Sequence, residues 1–409
     1  MQNSKKITLA YLNSLTFSAI QMVLYTTIPY IAEKTGVTTA NIIAAISVGS
    51  LIFAFMGPFW AAKSDALGRG KVLSIGMLGM TLSFLLFSAL FLLNTSLPLT
   101  VKIAMVFAAR ILYGLLASAV VPVSQAWQLD LIPNEDKLRV LTKNSMCLNL
   151  GRILGPILVL AKGVNFELVI YASTLWLSFL ATTVFLLRHS STPQQGSTER
   201  IELKKVLKRW KENFKESRNP ILLALTFTAF IGILHSFLGH HLKTVLNITG
   251  QEATLLFAKI ILFLSVVAVI LQQLSVMVFK SRWQPRVLLG PTSLIVGTII
   301  MMTSNNETSI WIAIAFIAVA TAFIPPVYLS LTSESRHNSE KTNIFGKKLG
   351  LASVAHSLGY ALGAGLIALS LKLHLVSNAV VVFLISFLIA MVSISLFKVY
   401  DRDGKRKHA

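Results

Sequence analysis

Charge is the scarcest commodity in this sequence. Asp, Glu, Lys and Arg make up 13% of the 409 residues, against 54% hydrophobic, and the mean hydropathy is +0.70. A water-soluble domain carries about 25% charged residues, so this composition excludes one and predicts a membrane protein. Acids are scarcer still, 16 against 37 bases, giving a formal charge of +21. Cysteine occurs once, as Cys147, which excludes an intramolecular disulfide and a multi-cysteine metal site and leaves packing as its expected role. No metal-ligand set, phosphate-cradling glycine loop or nucleophile with a base is legible, so neither an enzyme nor a bound cofactor is expected. A cleavable targeting peptide is not expected either. The apolar run after Lys5 and Lys6 is too long for a signal-peptide core and lacks a small-residue cleavage site.

What the chain has in abundance is apolar runs. They fall at about 7–31, 39–62, 71–93, 100–128, 141–162 and 167–188, then at about 220–243, 253–279, 286–303, 309–332, 347–371 and 376–398. Each approaches or exceeds the ~20 residues that cross a ~30 Å hydrocarbon core. The expected fold is therefore all-α and integral to the membrane, with twelve transmembrane helices in two sets of six. The basic residues lie between these runs. With the N-terminus inside, the inner loops hold Lys63, Arg69, Lys71, Lys137, Arg139, Lys143, Lys280, Arg282 and Arg286, while the outer loops offer little beyond Lys34, Lys162, Lys243 and Lys372. By the positive-inside rule both termini are cytoplasmic. The net charge is thus a topology signal rather than a nucleic-acid footprint.

Residues 189–219 divide an N-terminal bundle, 1–188, from a C-terminal bundle and basic tail, 220–409. This linker spaces Leu203, Leu207, Trp210 and Phe214 at helical intervals among lysines. Two readings stand: an amphipathic helix on the anionic inner leaflet, or a solvated linker helix. The halves also resemble each other. ASAVVP at 117–122 returns as ATAFIP at 320–325, and LGRILG at 150–155 returns as LGYALG at 358–363. Similar offsets and corresponding places within each half are the signature of a duplicated transporter bundle.

The buried charges are one-sided. Arg152 falls near mid-depth of the fifth run, where a charge costs about 2.5–3.5 kcal/mol on insertion scales and normally faces a wet cavity or the bundle interior. Helical spacing puts Ser145, Asn149 and Arg152 on one stripe, and Gly151 and Gly155 on a small face suited to close helix approach. Arg110 is near mid-depth of the fourth run. No Asp or Glu is expected at that depth anywhere, which favours an anionic substrate, because guanidinium engages carboxylate or phosphate bidentately. Asn13, Gln21 and Tyr25 step along the first run, either lining the cavity or bonding between helices. Tyr328 and Tyr360 offer neutral hydrogen bonds in the second half. His235 and His356 titrate in a range suited to proton coupling; packing is the alternative role for each.

Several motifs resemble the major facilitator superfamily, specifically its twelve-helix drug:proton antiporter branch, over essentially the whole chain. GPFWAAKSDALGRGKVL, between the second and third runs, is similar to the family's loop signature, with Asp65, Gly68, Arg69 and Lys71 in register. Arg110 and Gly114 match the family's Arg-three-Gly spacing, and Asp130 matches the acid that pairs with the loop arginine. Gly151, Gly155 and Pro156 match the start of the antiporter signature. Ala61, Ala66, Val159 and Leu160 depart from the family pattern. The resemblance implies a major facilitator fold of two pseudo-symmetric bundles and packing roles for the glycines and Pro156. It also implies a role for Arg110 in proton handling or helix packing and a conformational latch at Asp65, Arg69 and Asp130. The alternative for those loop charges is plain topology.

Together these features predict a secondary transporter working by alternating access. The expected activity is proton-coupled export, with the proton gradient as energy source and a small carboxylate-bearing solute, citrate-type siderophores first, as cargo. The expected setting is the bacterial inner membrane, with a monomer in the bilayer. A broad multidrug efflux pump and an importer of amino or organic acids are the competing readings.

Overall fold

The computed structural model describes residues 2–132, 137–161, 165–187, 218–279, 283–333, 341–373 and 378–407. The proposed linker helix lies outside them. Among the described residues the regular structure is helical throughout. The first half supplies α1 (Gln2–Thr26), α2 (Ile28–Thr35), α3 (Thr39–Leu67), α4 (Arg69–Leu92), α5 (Leu99–Leu116), α6 (Val120–Leu131), α7 (Lys137–Leu160) and α8 (Phe166–Leu187). The second supplies α9 (Arg218–Val245), α10 (Gly250–Phe279), α11 (Gln284–Thr303), α12 (Glu307–Ser333), α13 (Lys341–Leu373) and α14 (Asn378–Lys407). Each of the twelve predicted runs overlaps one or two of these helices.

Eleven spans among the described residues are long and apolar enough to cross a membrane. Of the two helices outside these spans, α2 has only 8 residues, whereas α7 is long enough at 24 but carries Arg139, Lys143, Asn144, Asn149 and Arg152. Its polar load needs polar neighbours, and it finds them. Ser14 Oγ on α1 donates to Asn144 Oδ1 at 2.7 Å, and Gln128 Nε2 on α6 donates to the same oxygen at 3.0 Å. All three side chains are fully buried. In a hydrocarbon setting such shared amide bonds fix the rotation of a helix that hydrophobicity alone would leave undetermined.

Two predicted runs are interrupted, each for a local reason. The first breaks at Thr27 because Pro29 has no N–H to continue the ladder. The short α2 then closes at Gly36, whose φ of 74° is left-handed and whose N–H bonds the Ala32 carbonyl at 3.0 Å. The fourth tightens into a 3₁₀ turn at Ala117–Ala119, just ahead of Pro122, before resuming as α6. Its sequence echo in the second half, ahead of Pro325 and Pro326, stays α-helical.

The described residues form two compact units. One holds those of Met1–Thr198 together with His235–Leu262, and the other those of Glu199–Leu234 together with Phe263–Ala409. Equivalent contacts recur in each. In the first, a Cβ on Gly155 would lie 2.5 Å from the Ala19 carbonyl and 2.6 Å from Met22 Cβ on α1, so α7 packs backbone to backbone there. In the second, Gly359 and Gly363 of α13 meet the backbone of α9 at Leu225 and Ala229 in the same manner. Ser88 and Thr174 share a hydroxyl bond at 2.9 Å between α4 and α8, and Thr298 and Ser386 repeat it at 3.0 Å between α11 and α14. A duplication read from short sequence echoes is thus also written in side-chain contacts that no local pattern reveals.

Candidate functional site

Within the first unit, polar side chains of α1, α5 and α9 form a continuous series through the apolar interior. At its centre is Arg110, which is fully buried. The packing around it is set by glycine. Gly114 lies against the Gly49 carbonyl, and a Cβ on Gly49 would sit 2.5 Å from the Arg110 carbonyl, so α3 and α5 touch along their backbones. The Arg110 side chain lies over the Tyr113 ring, with Cζ 4.1 Å from the centroid. Its Nε, Nη1 and Nη2 have no hydrogen-bond partner among the described residues. A cation over an aromatic face gains up to about 2 kcal/mol when desolvated, which offsets only part of the cost of burying it.

Tyr113 links this charge to α1. Gln21 Nε2 donates to the Tyr113 hydroxyl at 2.5 Å and reaches the Tyr25 hydroxyl at 3.5 Å. Phe17 and Phe53 complete an aromatic group around Tyr113, with centroids 6.2 and 5.7 Å from it. Tyr25 in turn stacks on His235 of α9 at 5.9 Å, and Arg152 of α7 acts on His235 electrostatically. Arg110 and Arg152, selected from the sequence as mid-depth charges, therefore share a neighbourhood with Gln21 and Tyr25 of the first run and with His235. Arg152 is exposed and Asn149 half-buried. Asn13, further along α1, is fully buried with neither amide atom bonded among the described residues. Tyr113 was missed by sequence reasoning, although its place one helical turn after Arg110 was a usable signal.

In the second unit Tyr328 and His356 meet edge to face at 5.2 Å, and Gly232 of α9 contacts the Tyr360 backbone on α13. These residues thus form a smaller aromatic and imidazole group.

The loop charges form a separate cluster at the junction of α3 and α4. Gly68, with φ 91°, ends one helix and opens the next, a geometry that suits glycine. The turn aims Arg69 back along α3. Its Nη2 pairs with Asp65 at 2.6 Å, its Nε with Asp130 of α6 at 2.8 Å, and its Nη1 donates to Ser64 Oγ at 2.6 Å. Lys71 is exposed.

Comparison with known proteins sets this architecture in context. The family model described as Major Facilitator Superfamily matches residues 10–346. Among curated proteins, Multidrug resistance protein 2 of Bacillus subtilis (strain 168) is 24% identical over 357 residues, covering 84% of this chain and 83% of its own length. Among solved structures, nucleoside transporter NupG aligns with a TM-score of 0.69 at 12% identity, covering 98% of this chain and 99% of its own. Peptide transporter POT in complex with sulfate aligns at 0.72 and 12% identity, covering 98% and 95%. The human organic anion transporter MFSD10 (TETRAN) aligns at 0.65 and 15% identity, covering 96% and 99%. At these identities the solved structures speak for the fold alone. With the family model spanning most of the chain, this protein belongs to the Major Facilitator Superfamily, and it is a multi-pass membrane transporter for a small-molecule substrate rather than an enzyme.

Proposed function

We propose that the protein exports a small carboxylate-bearing solute, with the proton gradient as its energy source. The observation that carries this reading is the sign of the buried charge. Arg110 lies fully buried with unbonded guanidinium nitrogens, and Arg152 lies near the same polar series. The described carboxylates Glu33, Asp65, Asp130, Glu167, Glu252 and Glu307 all stand at helix ends. A carboxylate cargo complements two guanidinium groups through paired N–H donors, whereas a cationic drug meets repulsion. Polycarboxylate siderophores of the citrate type fit this arrangement best, because several carboxylates can engage both arginines at once.

In this reading Arg152, Arg110 and Asn149 contact the cargo, with Asn13, Gln21 and Tyr25 lining its path. Tyr328 and Tyr360 are the neutral hydrogen-bonding candidates in the second half of the sequence. His235 and His356 carry the coupling proton, and the Arg69 cluster latches one state of the cycle. The basic loops orient both termini to the cytoplasm of a bacterial inner membrane, with the protein acting as a monomer.

The test compares small molecules inside and outside cells with the gene deleted, restored, or restored as Arg152→Ala, in iron-poor and iron-rich media. The expected result is an acidic metabolite retained by the deletion and Arg152→Ala strains and released on restoration of the wild type. Its absence would remove the anionic reading. The similarity to Multidrug resistance protein 2 supports a second reading, broad drug efflux. That would show as extrusion of lipophilic cations equal in wild type and Arg152→Ala.

A further inference from the structure

The end of the first unit remote from the N-terminus carries a charged cluster that the substrate reading does not use. Here α2 turns off α1 at Pro29 and lies against the C-terminal end of α9 and the N-terminal end of α10. Glu33 Oε2 accepts from Lys243 Nζ in an ion pair and from the Gly250 N–H at 2.7 Å. The Tyr30 N–H donates to Thr254 Oγ1 at 3.2 Å. The fit is tight. A Cβ on Gly239 would lie 2.5 Å from Pro29 Cγ, and one on Gly250 would lie 2.7 Å from the Pro29 carbonyl. Both glycines therefore allow α9 and α10 to close on α2. Thr254 and Phe257 of α10 are fully buried behind this contact.

We propose that the Glu33 carboxylate is the gate-keeping group of the outer mouth. It bridges α2 to two helix ends belonging to the second half of the sequence, so opening this end requires both of its bonds to break. Naming this end the outer one rests on the orientation proposed above, but the gate itself does not depend on the cargo. The bridge is made by hydrogen bonds to a partly exposed carboxylate rather than by apolar burial alone, which makes it reversible on each cycle. Losing the charge should shift the equilibrium about five-fold toward the open form, the factor equivalent to about 1 kcal/mol.

The experiment reads accessibility without any substrate. Thr254→Cys is introduced in a Cys147→Ala background and labelled with a membrane-impermeant maleimide, in right-side-out spheroplasts and in inverted vesicles. The Thr254 position should label slowly from outside in the parent and about five-fold faster when Glu33→Gln or Lys243→Gln is added, at equal amounts of membrane-inserted protein. A Glu33→Lys, Lys243→Glu double variant, which rebuilds the ion pair, should label more slowly than either glutamine variant. Unchanged labelling in both glutamine variants would overturn the gate. If either variant failed to insert, the other would decide alone. Acceleration seen only in inverted vesicles would uphold the gate and refute the orientation.

Discussion

Arg110→Met should make the protein more stable and stop it transporting. The native guanidinium is fully buried over Tyr113, with three nitrogens unbonded among the described residues. Holding an arginine at mid-depth costs about 2.5–3.5 kcal/mol, of which the aromatic face returns up to about 2 kcal/mol. Methionine fills a similar volume with no charge to desolvate, so the substitution should gain about 1 kcal/mol. Reversible unfolding of purified protein in detergent gives the stability, and anion uptake into inverted vesicles gives the activity. Arg110→Lys retains the charge and the cation–π contact but not the fork, and should transport poorly without the gain in stability. A loss of more than about 1 kcal/mol in Arg110→Met would mean that the guanidinium is well satisfied in the folded protein. Retained anion transport would dismiss it as a cargo contact.

Other expectations follow from single contacts. Gly155→Leu should cost about 3 kcal/mol or prevent folding, because its Cβ falls on the Ala19 carbonyl. Gly36→Ala meets nothing within 4 Å and should cost only about 1 kcal/mol, from its left-handed φ; the two unfolding midpoints check the contrast. Arg69→Gln breaks pairs with Asp65 and Asp130 and should slow initial transport several-fold at an unchanged amount of inserted protein. The Glu33 carboxyl is held below its ordinary value of 4.5, first by Lys243 and then by the Gly250 N–H. Its contribution to the closed form is therefore complete above that ordinary value and lost as pH falls through the lower, clasped one. The ratio of Thr254→Cys labelling between Glu33→Gln and the parent should stay constant from about pH 8 to 5.5 and approach one only in stronger acid. Other ionisable groups around this end include His240, His241, Lys243, Lys34, Lys102, Tyr30, Glu167 and Glu252, and taking a ratio removes their shared effect.

Much of this organisation is legible along the chain. Apolar run length gives the spans, since a helix must cover the hydrocarbon core whatever its neighbours are. The spacing of Gly151 and Gly155 marks a packing face, and Asp65 and Arg69 lie one turn apart. Periodicity, however, says that a side chain is buried and not what it meets. Nothing local pairs Glu33 with Lys243, or draws Ser14 and Gln128 to the same oxygen of Asn144, because each bond joins helices distant in sequence. The interruptions at Thr27 and Ala117 were hidden for another reason: hydropathy is blind to the missing N–H of proline. Tyr113 was overlooked because an aromatic residue in an apolar run reads as core until the cation beside it is placed.

The central claim is that this transporter carries an anion by means of the buried Arg110 and the exposed Arg152. The most direct test is counterflow of a citrate-type polycarboxylate in proteoliposomes of wild type, Arg152→Ala and Arg152→Lys, with a lipophilic cation as the control solute. The account predicts exchange of the polycarboxylate by the wild type, loss in Arg152→Ala, strong impairment in Arg152→Lys and no cation exchange in any of them. Equal polycarboxylate exchange by all three proteins, or cation exchange indifferent to Arg152, would contradict it.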